Sequence, residues 1–415
     1  MMRSIISSLL FLSVFLSVAQ RVKITADQLF DGVSVQSDWG LIVEGNVILE
    51  VGPINKLGEA DQEFNYPTGT IMPGMIEGHS HVLLYPYNQT GWNDQVLKES
   101  RSLRAIRGGQ AATKNLYAGF TTIRDLGSEG AGYADVAIKQ SIEQGIIEGP
   151  RMLVAGRAIV ATGSYGPKGF HPDFDVPLGA EPADAQNLIT VTRDQIGKGA
   201  DFIKVYADYR WGPDGEAKPT FSIEELKMIV ETAASSGRVV VTHAATAEGM
   251  RRATLAGVKT IEHGSDATME VLQLMKENNV ALCPTLAATH AVTQYFDGWD
   301  TKDPEPERIT NKRKMFERAL KSGVTLVAGG DVGVFPHGEN VRELELMVDY
   351  GMAELDVLRS VTSINAEVFG LEKLGELKQG FLADIVVVEG NPSKSISDLY
   401  KIKLVMKDGI LYKTD

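Results

Sequence analysis

Cysteine is nearly absent from this 415-residue chain, and its single thiol, Cys283, excludes an intrachain disulfide. The missing disulfides do not decide the compartment, because a chain of this length can bury a core large enough to be stable outside the cell. Cys283 lies in the apolar run Val280–Pro284. We therefore predict that it is a small buried hydrophobic residue and not a nucleophile.

Positive charge is also scarce, since the formal net charge at pH 7 is -13. Nucleic acids and anionic membranes both require a concentrated basic surface, so this balance argues against either as a partner. We expect a small-molecule substrate. The composition is also compatible with a homo-oligomer.

Long apolar runs are missing except at the start of the chain. Arg3 is followed by the apolar segment Ile5 to Val18, and Ser17-Val18-Ala19 resembles a cleavage site between small residues. This order is typical of a secretory signal peptide, and the run is too short to span a bilayer comfortably. We predict that residues 1–19 are a signal peptide, that the protein is exported (periplasmic or secreted), and that no membrane span remains after cleavage. An anchored N-terminal helix is the alternative. A lipoprotein anchor is disfavoured, because no cysteine lies near the cleavage point.

From residue 71 onward, short β-branched runs alternate with amphipathic stretches, which is typical of repeated βα units. Ser222 and Glu225 form a capping-box pattern before one of these helices. The predicted fold is α/β, with a (β/α)8 TIM barrel over residues 71–370. The eight predicted strands are Ile71–Glu77, Thr121–Arg124, Arg151–Ala155, Phe202–Val205, Val239–Thr242, Thr260–Glu262, Ala281–Pro284 and Thr325–Ala328. Five of the returns into these strands carry a glycine that suits a helix C-terminus: Gly119, Gly199, Gly237, Gly257 and Gly323.

The two flanking segments, residues 20–70 and 371–415, have a different pattern. Both alternate apolar and polar residues between turns, as in Gly40–Asn46 and Ala383–Val388. We predict that both chain ends contribute strands to one small β-sandwich, with the barrel inserted between them.

The strongest local motif is Pro73–His81. Alternate residues of a strand face the same side, so His79 and His81 can share one metal ion. Imidazole nitrogen suits zinc and related divalent ions. The pair lies at the C-terminal end of the first predicted barrel strand, where the active sites of such barrels are found.

Four further candidates lie at the same end of later strands. Lys204 lies inside an apolar strand, and His243, His263 and Asp331 follow the fifth, sixth and eighth strands. Each has an alternative interpretation: a lysine paired with a buried carboxylate, a hydrogen-bonded core histidine, or an aspartate that caps a helix. The joint pattern on five strands is hard to obtain by accident, so it predicts a metal site.

The same residues resemble the metal-ligand series of the amidohydrolase superfamily. The segments 380–387 and 390–392 are similar to that superfamily's closing sandwich. Within the superfamily, the chain resembles the imidazolonepropionase-like Xaa-Pro dipeptidase group, through Asp331–Gly338 and Gly351-Met352.

This resemblance implies a binuclear site. Lys204 would be carboxylated by CO2 and would bridge two divalent ions, expected to be Zn²⁺. His79, His81 and Asp331 would bind one ion, and His243 and His263 the other. The implied reaction is hydrolysis of an amide C–N bond by a metal-bridging hydroxide, with Asp331 transferring the proton.

The implied substrate is a dipeptide or an N-acyl amino acid. A cyclic amide, lactone or ester is the alternative on the same site. A deaminase is disfavoured because those relatives mostly use one metal and no bridging lysine, and a non-catalytic binding barrel is disfavoured by the intact ligand set.

The chain departs from the dipeptidase pattern in two places. Ala245 replaces a tyrosine that holds the substrate carboxylate, and Ala161–Gly166 lacks a histidine after the third strand. Other groups must therefore recognise the substrate. We predict substrate contacts from residues in the βα loops, with a solvated loop charge as the alternative for the arginine: Tyr165, Tyr206, Arg210 and His337. His171 is predicted to lie on a surface loop, and His290 to be structural or in contact with substrate.

Overall fold

The computed structural model describes residues 20–171 and 173–414, so the predicted signal peptide lies outside the described residues. The strands are β1 Arg21–Phe30, β2 Val35–Ser37, β3 Trp39–Glu44, β4 Val47–Pro53, β5 Gln62–Pro73, β6 Met75–Ser80, β7 Phe120–Asp125, β8 Arg151–Val154, β9 Ile159–Val160, β10 Glu181–Pro182, β11 Ile203–Tyr206, β12 Asp208–Arg210, β13 Ala217–Pro219, β14 Val240–Ala244, β15 Thr260–His263, β16 Ala281–Cys283, β17 Ile385–Glu389, β18 Ile402–Lys407 and β19 Ile410–Thr414. The helices are α1 Trp92–Leu97, α2 Arg101–Tyr117, α3 Ala134–Glu143, α4 Asn187–Gly197, α5 Ile223–Ala234, α6 Ala247–Ala256, α7 Met269–Glu277, α8 Leu286–Asp297, α9 Glu307–Ser322, α10 Val341–Asp349, α11 Glu354–Arg359 and α12 Asn365–Phe369.

The central strands form two parallel sheets, one ordered β6-β7-β8 and the other β10-β9-β11-β14-β15-β16. Backbone hydrogen bonds connect them on both sides. Asp201 N donates to Val154 O over 2.8 Å, beside β8 and β11. On the other side, Gly78 N donates to Ala328 O over 3.0 Å, and Leu326 forms a parallel bridge to Leu282. Helices follow most of these strands, so the predicted α/β class is confirmed.

The predicted strand Thr325–Ala328 is the main correction, because only Leu326 pairs there, in a single bridge. The side-chain amide of Asn365 is inserted between Ala328 and Ile76 of β6, although Gly78 of β6 still donates to Ala328 O. Asn365 Oδ1 accepts from Ala328 N over 3.1 Å, and Asn365 Nδ2 donates to Ala328 O over 2.8 Å. This segment therefore satisfies its backbone groups without a regular ladder.

The first predicted strand, Ile71–Glu77, is instead divided between β5 and β6 at Gly74. A Cβ atom at Gly74 would lie 2.1 Å from Thr121 Oγ1, so the close approach of β7 requires glycine here. The local end predictions are confirmed: Ser222 and Glu225 form both bonds of the capping box at α5. The five return glycines all have positive φ angles.

The chain ends meet in an eight-stranded sheet with the order β19-β18-β17-β5-β1-β3-β4, and β2 pairs with β1. β17 from the C-terminal segment runs antiparallel to β5 from the N-terminal segment. A separate apolar core that includes Ile24, Leu41 and Val387 lies against this sheet. Arg151 on β8 donates to Asp384 over 2.8 Å and so ties the parallel strands to this sheet.

In the described part of the chain, no helix combines the length and apolarity that a membrane crossing requires.

Candidate metal centre and substrate cavity

His79 and His81 lie at the end of β6, both almost fully buried, with ring centroids 5.3 Å apart. Each ring is oriented through its Nδ1 atom. His79 Nδ1 lies 2.9 Å from Glu262 Oε2, and His81 Nδ1 lies 2.9 Å from Gly127 O. Carboxylate and carbonyl partners of this kind orient metal-binding histidines and leave the Nε2 atoms available.

Two more histidines complete the cluster. His263 ends β15, with its ring centroid 5.2 Å from that of His79 and 4.5 Å from that of His243 on β14. His263 Nδ1 lies 2.8 Å from Thr285 Oγ1, whereas the His243 ring stacks on Tyr206 with centroids 4.5 Å apart. The structure thus brings together all four histidines that the sequence placed at strand ends.

Asp331 supplies a carboxylate to the same point. Its Oδ1 atom lies 3.5 Å from Nε2 of both His79 and His81. This oxygen is buried and has no hydrogen-bond partner within the described chain. Ligand atoms of His79, His263 and Asp331 all lie within 4.8 Å of one another. Convergent nitrogen and oxygen donors around a buried, unsatisfied oxygen fit a divalent cation.

Lys204 lies on β11 beneath this cluster and is 1% exposed. Within residues 20–171 and 173–414, no carboxylate comes within ion-pair distance of its Nζ atom, which lies 5.5 Å from the centroid of the Tyr206 ring. The alternative of a lysine paired with a buried carboxylate is therefore wrong. Burial lowers the pKa of Lys204, which favours the neutral amine.

Burial also sets the charge of the imidazoles. It lowers the pKa of His79 and His263 well below the usual range, and that of His243 to about 3. Burial raises the pKa of Asp331 to about 6. Neutral imidazole is the form that binds metal ions.

The cluster opens into a cavity of about 450 Å³. Three predicted substrate residues line it: Tyr165, Tyr206 and Arg210. Arg210 is exposed on the β12–β13 hairpin, so it can meet a ligand at the rim. A larger cavity of about 660 Å³ lies at the opposite strand ends, beside Lys259 and Ala281, away from the histidines.

The geometry does not support substrate contact by His337. Asn115 Nδ2 lies 3.1 Å from His337 Nδ1, and His337 Nε2 lies 3.2 Å from the carbonyl oxygen of His81. Both ring nitrogens are thus engaged behind His81, and His337 is not among the cavity-lining residues. His290 is bonded to the Tyr350 hydroxyl over 2.7 Å, outside this cavity, and His171 is exposed.

Sequence reasoning missed several cavity residues. Tyr209 and Arg308 line the cavity, as does Glu129 from the loop after β7. Glu262, one residue before His263, holds His79. Tyr209 lies next to Arg210, Glu129 follows the strand β7 and Glu262 precedes His263, so these positions were the available indications. Arg308, on α9, had no such indication in the sequence.

Backbone strain is concentrated here. Nine described non-glycine residues have positive φ angles, and four of them line the cavity: Glu129, His263, Thr285 and Asp331. Such conformations persist where surrounding structure enforces them, most often at functional sites. This concentration of strain is a second feature typical of a functional site, independent of the histidine cluster.

Fold and donor set define a metal-dependent hydrolase, and comparison with known proteins identifies its family. The model of the amidohydrolase family matches residues 70–411, so the chain belongs to the amidohydrolase family. The chain is 30% identical to an ochratoxinase from Aspergillus niger, over 90% of this chain and 82% of that protein.

Solved structures agree. A Xaa-Pro dipeptidase with bound methionine in the active site has a TM-score of 0.85 and 31% identity, covering 95% of this chain and 100% of that one. A prolidase complexed with N-methylphosphonate-L-proline has a TM-score of 0.80 and 26% identity, covering 95% of this chain and 100% of that one. The predicted superfamily is confirmed, and the chain is an amide-hydrolysing enzyme.

Proposed function

We propose that this enzyme is a binuclear metallohydrolase that cleaves the amide bond of a dipeptide or an N-acyl amino acid. The observation that carries the proposal is the convergence of four histidines and Asp331 above a buried lysine without a counter-ion. The dipeptidase and prolidase relatives support small amides with a carboxylate.

Lys204 is proposed to carry a CO2-derived carboxylate. Its neutral amine would form an N–C bond with CO2 and release a proton, which turns a buried base into an anion. An anion at this position compensates the charge of two divalent cations, and His79, His81 and Asp331 would hold one ion while His243 and His263 hold the other.

Divalent cations, with Zn²⁺ as our proposal, would polarise the scissile carbonyl and lower the pKa of water. Asp331 performs the proton transfer. Its Oδ1 faces the point where the two Nε2 atoms of β6 converge, so it can accept the proton of the attacking water and return it to the leaving amine.

We also propose that the two parallel sheets form one closed (β/α)8 barrel over residues 71–370, and that the chain ends form a β-sandwich. The hydrogen bonds at Val154 and Ala328, which connect the two sheets on both sides, support closure. An experimental structure with a gap between β8 and β11 too wide for hydrogen bonds would contradict it.

Export is likewise a proposal, based on the residue order of positions 1–19. Mass spectrometry of protein from the extracytoplasmic fraction should find a chain that begins near Gln20. Full-length protein confined to the cytoplasm would refute it.

The direct test of the function is a screen of the zinc-loaded protein against dipeptides and N-acyl amino acids. We expect turnover within one of these two classes. Turnover of only cyclic amides, lactones or esters would favour the alternative chemistry.

Arg210 is expected to bind the substrate carboxylate, because a guanidinium at the cavity rim can donate two parallel hydrogen bonds. Arg210→Met should lower kcat/KM for carboxylate-bearing substrates. The loss of transition-state stabilisation should be about 1.5–3 kcal/mol, the range for a hydrogen bond to a charged group. An uncharged amide or ester analogue should be nearly unaffected.

Lys218→Met is the matched control, because Lys218 pairs with Tyr209 on the same hairpin and is exposed. Lys218→Met should leave kcat/KM unchanged for both the carboxylate-bearing substrate and the uncharged analogue. Equal losses on both substrates with Arg210→Met would indicate a disrupted loop, and no loss would show that Arg210 is a solvated charge.

A further inference from the structure

Glu129 is a buried acidic residue in the substrate cavity that the mechanism above does not use. It lies in the loop after β7 and is 4% exposed, yet it lines the cavity. Its φ angle of 47° is unusual for a residue with a long side chain. The fold thus maintains a strained conformation that keeps this carboxylate inside the cavity.

Only neutral groups donate to the Glu129 carboxylate. Oε2 accepts from Trp92 Nε1 over 2.8 Å and from the Tyr165 hydroxyl over 2.7 Å. Oε1 accepts a single longer bond of 3.3 Å from the Tyr206 hydroxyl. Across the described chain, no lysine, arginine or histidine side chain forms an ion pair with this carboxylate. The guanidinium of Arg104 donates instead to the backbone oxygen of Glu129, over 2.6 Å.

A buried carboxylate without a cation is costly, and neutral donors offset only part of that cost. A cationic group on a ligand would complete the compensation. Because Oε1 has one weak partner and the residue borders the cavity, that oxygen is available to a ligand.

The surroundings of Glu129 place it next to the metal ligands. Gly127, two residues earlier, accepts from His81. On the other side, the Tyr206 ring that bonds to Glu129 stacks on His243. A group bound by Glu129 therefore lies close to the bond that the centre would cleave.

We infer that Glu129 binds the α-ammonium group of the substrate, and that the substrates are dipeptides with a free N-terminus and not N-acyl amino acids. This inference rests on the proposed function. In a dipeptide, a single carbon atom separates the ammonium nitrogen from the scissile carbonyl, which matches an anion beside the metal ligands. Glu129 and Arg210 then bind the two opposite charges of a zwitterion.

The test compares matched substrate pairs, such as leucyl-proline and 4-methylpentanoyl-proline, which differ only in the α-ammonium group. Wild-type enzyme should prefer the dipeptide in kcat/KM. Glu129→Gln keeps the size of the side chain and removes its charge, so it should lower kcat/KM for the dipeptide by about 10- to 100-fold, as expected for a charged hydrogen bond. The des-amino substrate should change by less than about twofold. Glu143→Gln, an exposed carboxamide substitution on α3, is the control and should change neither value.

The wild-type comparison remains decisive even if Glu129→Gln fails to fold. Equal use of both members, or a preference for the des-amino member, would overturn the inference while amide hydrolysis stands. Equal losses on both members in Glu129→Gln would show that Glu129 only supports the loop and would also overturn it. Hydrolysis of no pair in a library of such pairs would refute the proposed function, and the inference with it.

Discussion

Lys204→Ala is expected to lose most of its activity, on the order of 10²-fold or more, the scale reported for removing one strong electrostatic contact at a reacting centre. The substitution removes the anion proposed to lie between two cations and leaves a space at the buried position of Lys204. Acetate or propionate added to the assay should fill that space and restore part of the activity. Steady-state kinetics with a range of acid concentrations measures the effect.

Lys204→Met is the matched control. Its side chain is about as long as lysine and fills the space, so we expect low activity without rescue by acids. Wild-type turnover in Lys204→Ala, with no response to acids, would show that Lys204 is a structural residue.

Asp331→Asn should keep the fold and at least one metal ion but lose turnover by about 10²- to 10⁴-fold, the usual contribution of positioned proton transfer. The carboxamide has nearly the same shape but cannot accept the proton in the same way. Asparagine also tolerates the left-handed backbone at this position, where φ is 62°. The loss can therefore be assigned to chemistry and not to strain.

Asp194→Asn on α4 provides the control for Asp331→Asn, because Asp194 is exposed, pairs with Lys198 and lies outside both the metal cluster and the substrate cavity. Circular dichroism and elemental analysis should accompany the kinetics of both variants. Near-normal turnover in Asp331→Asn would remove this residue from the mechanism.

The clustering of the proposed metal ligands was predictable because strand periodicity places alternate side chains together. His79 and His81 share one side of β6, and residues that follow parallel strands meet at one end of the sheet. The structure places His243, His263 and Asp331 in one cluster at that end. The sequence was sufficient to predict this clustering, because the position of each residue depends on the strand that it ends.

Features that depend on distant partners were not predictable in this way. The segment 325–328 has the composition of a strand, but the side chain of Asn365, about 40 positions later, accepts the hydrogen bond of Ala328 N and interrupts the regular pairing with β6. His337 lies in a loop that follows a ligand, but Asn115 engages its ring from α2. In the sequence, Glu129 looks like an ordinary loop glutamate. In the fold, Trp92 and Tyr165 donate hydrogen bonds to its carboxylate and enclose it. Such contacts follow from tertiary packing between residues distant in the sequence, and the local sequence pattern does not predict them.

The central claim is that this site holds two divalent ions, and metal stoichiometry tests it most directly. Protein prepared with excess zinc and bicarbonate, then freed of unbound ions, should contain close to two equivalents of zinc per chain by elemental analysis, with activity rising as the second equivalent binds. A stable and fully active preparation that contains one equivalent would contradict the binuclear account.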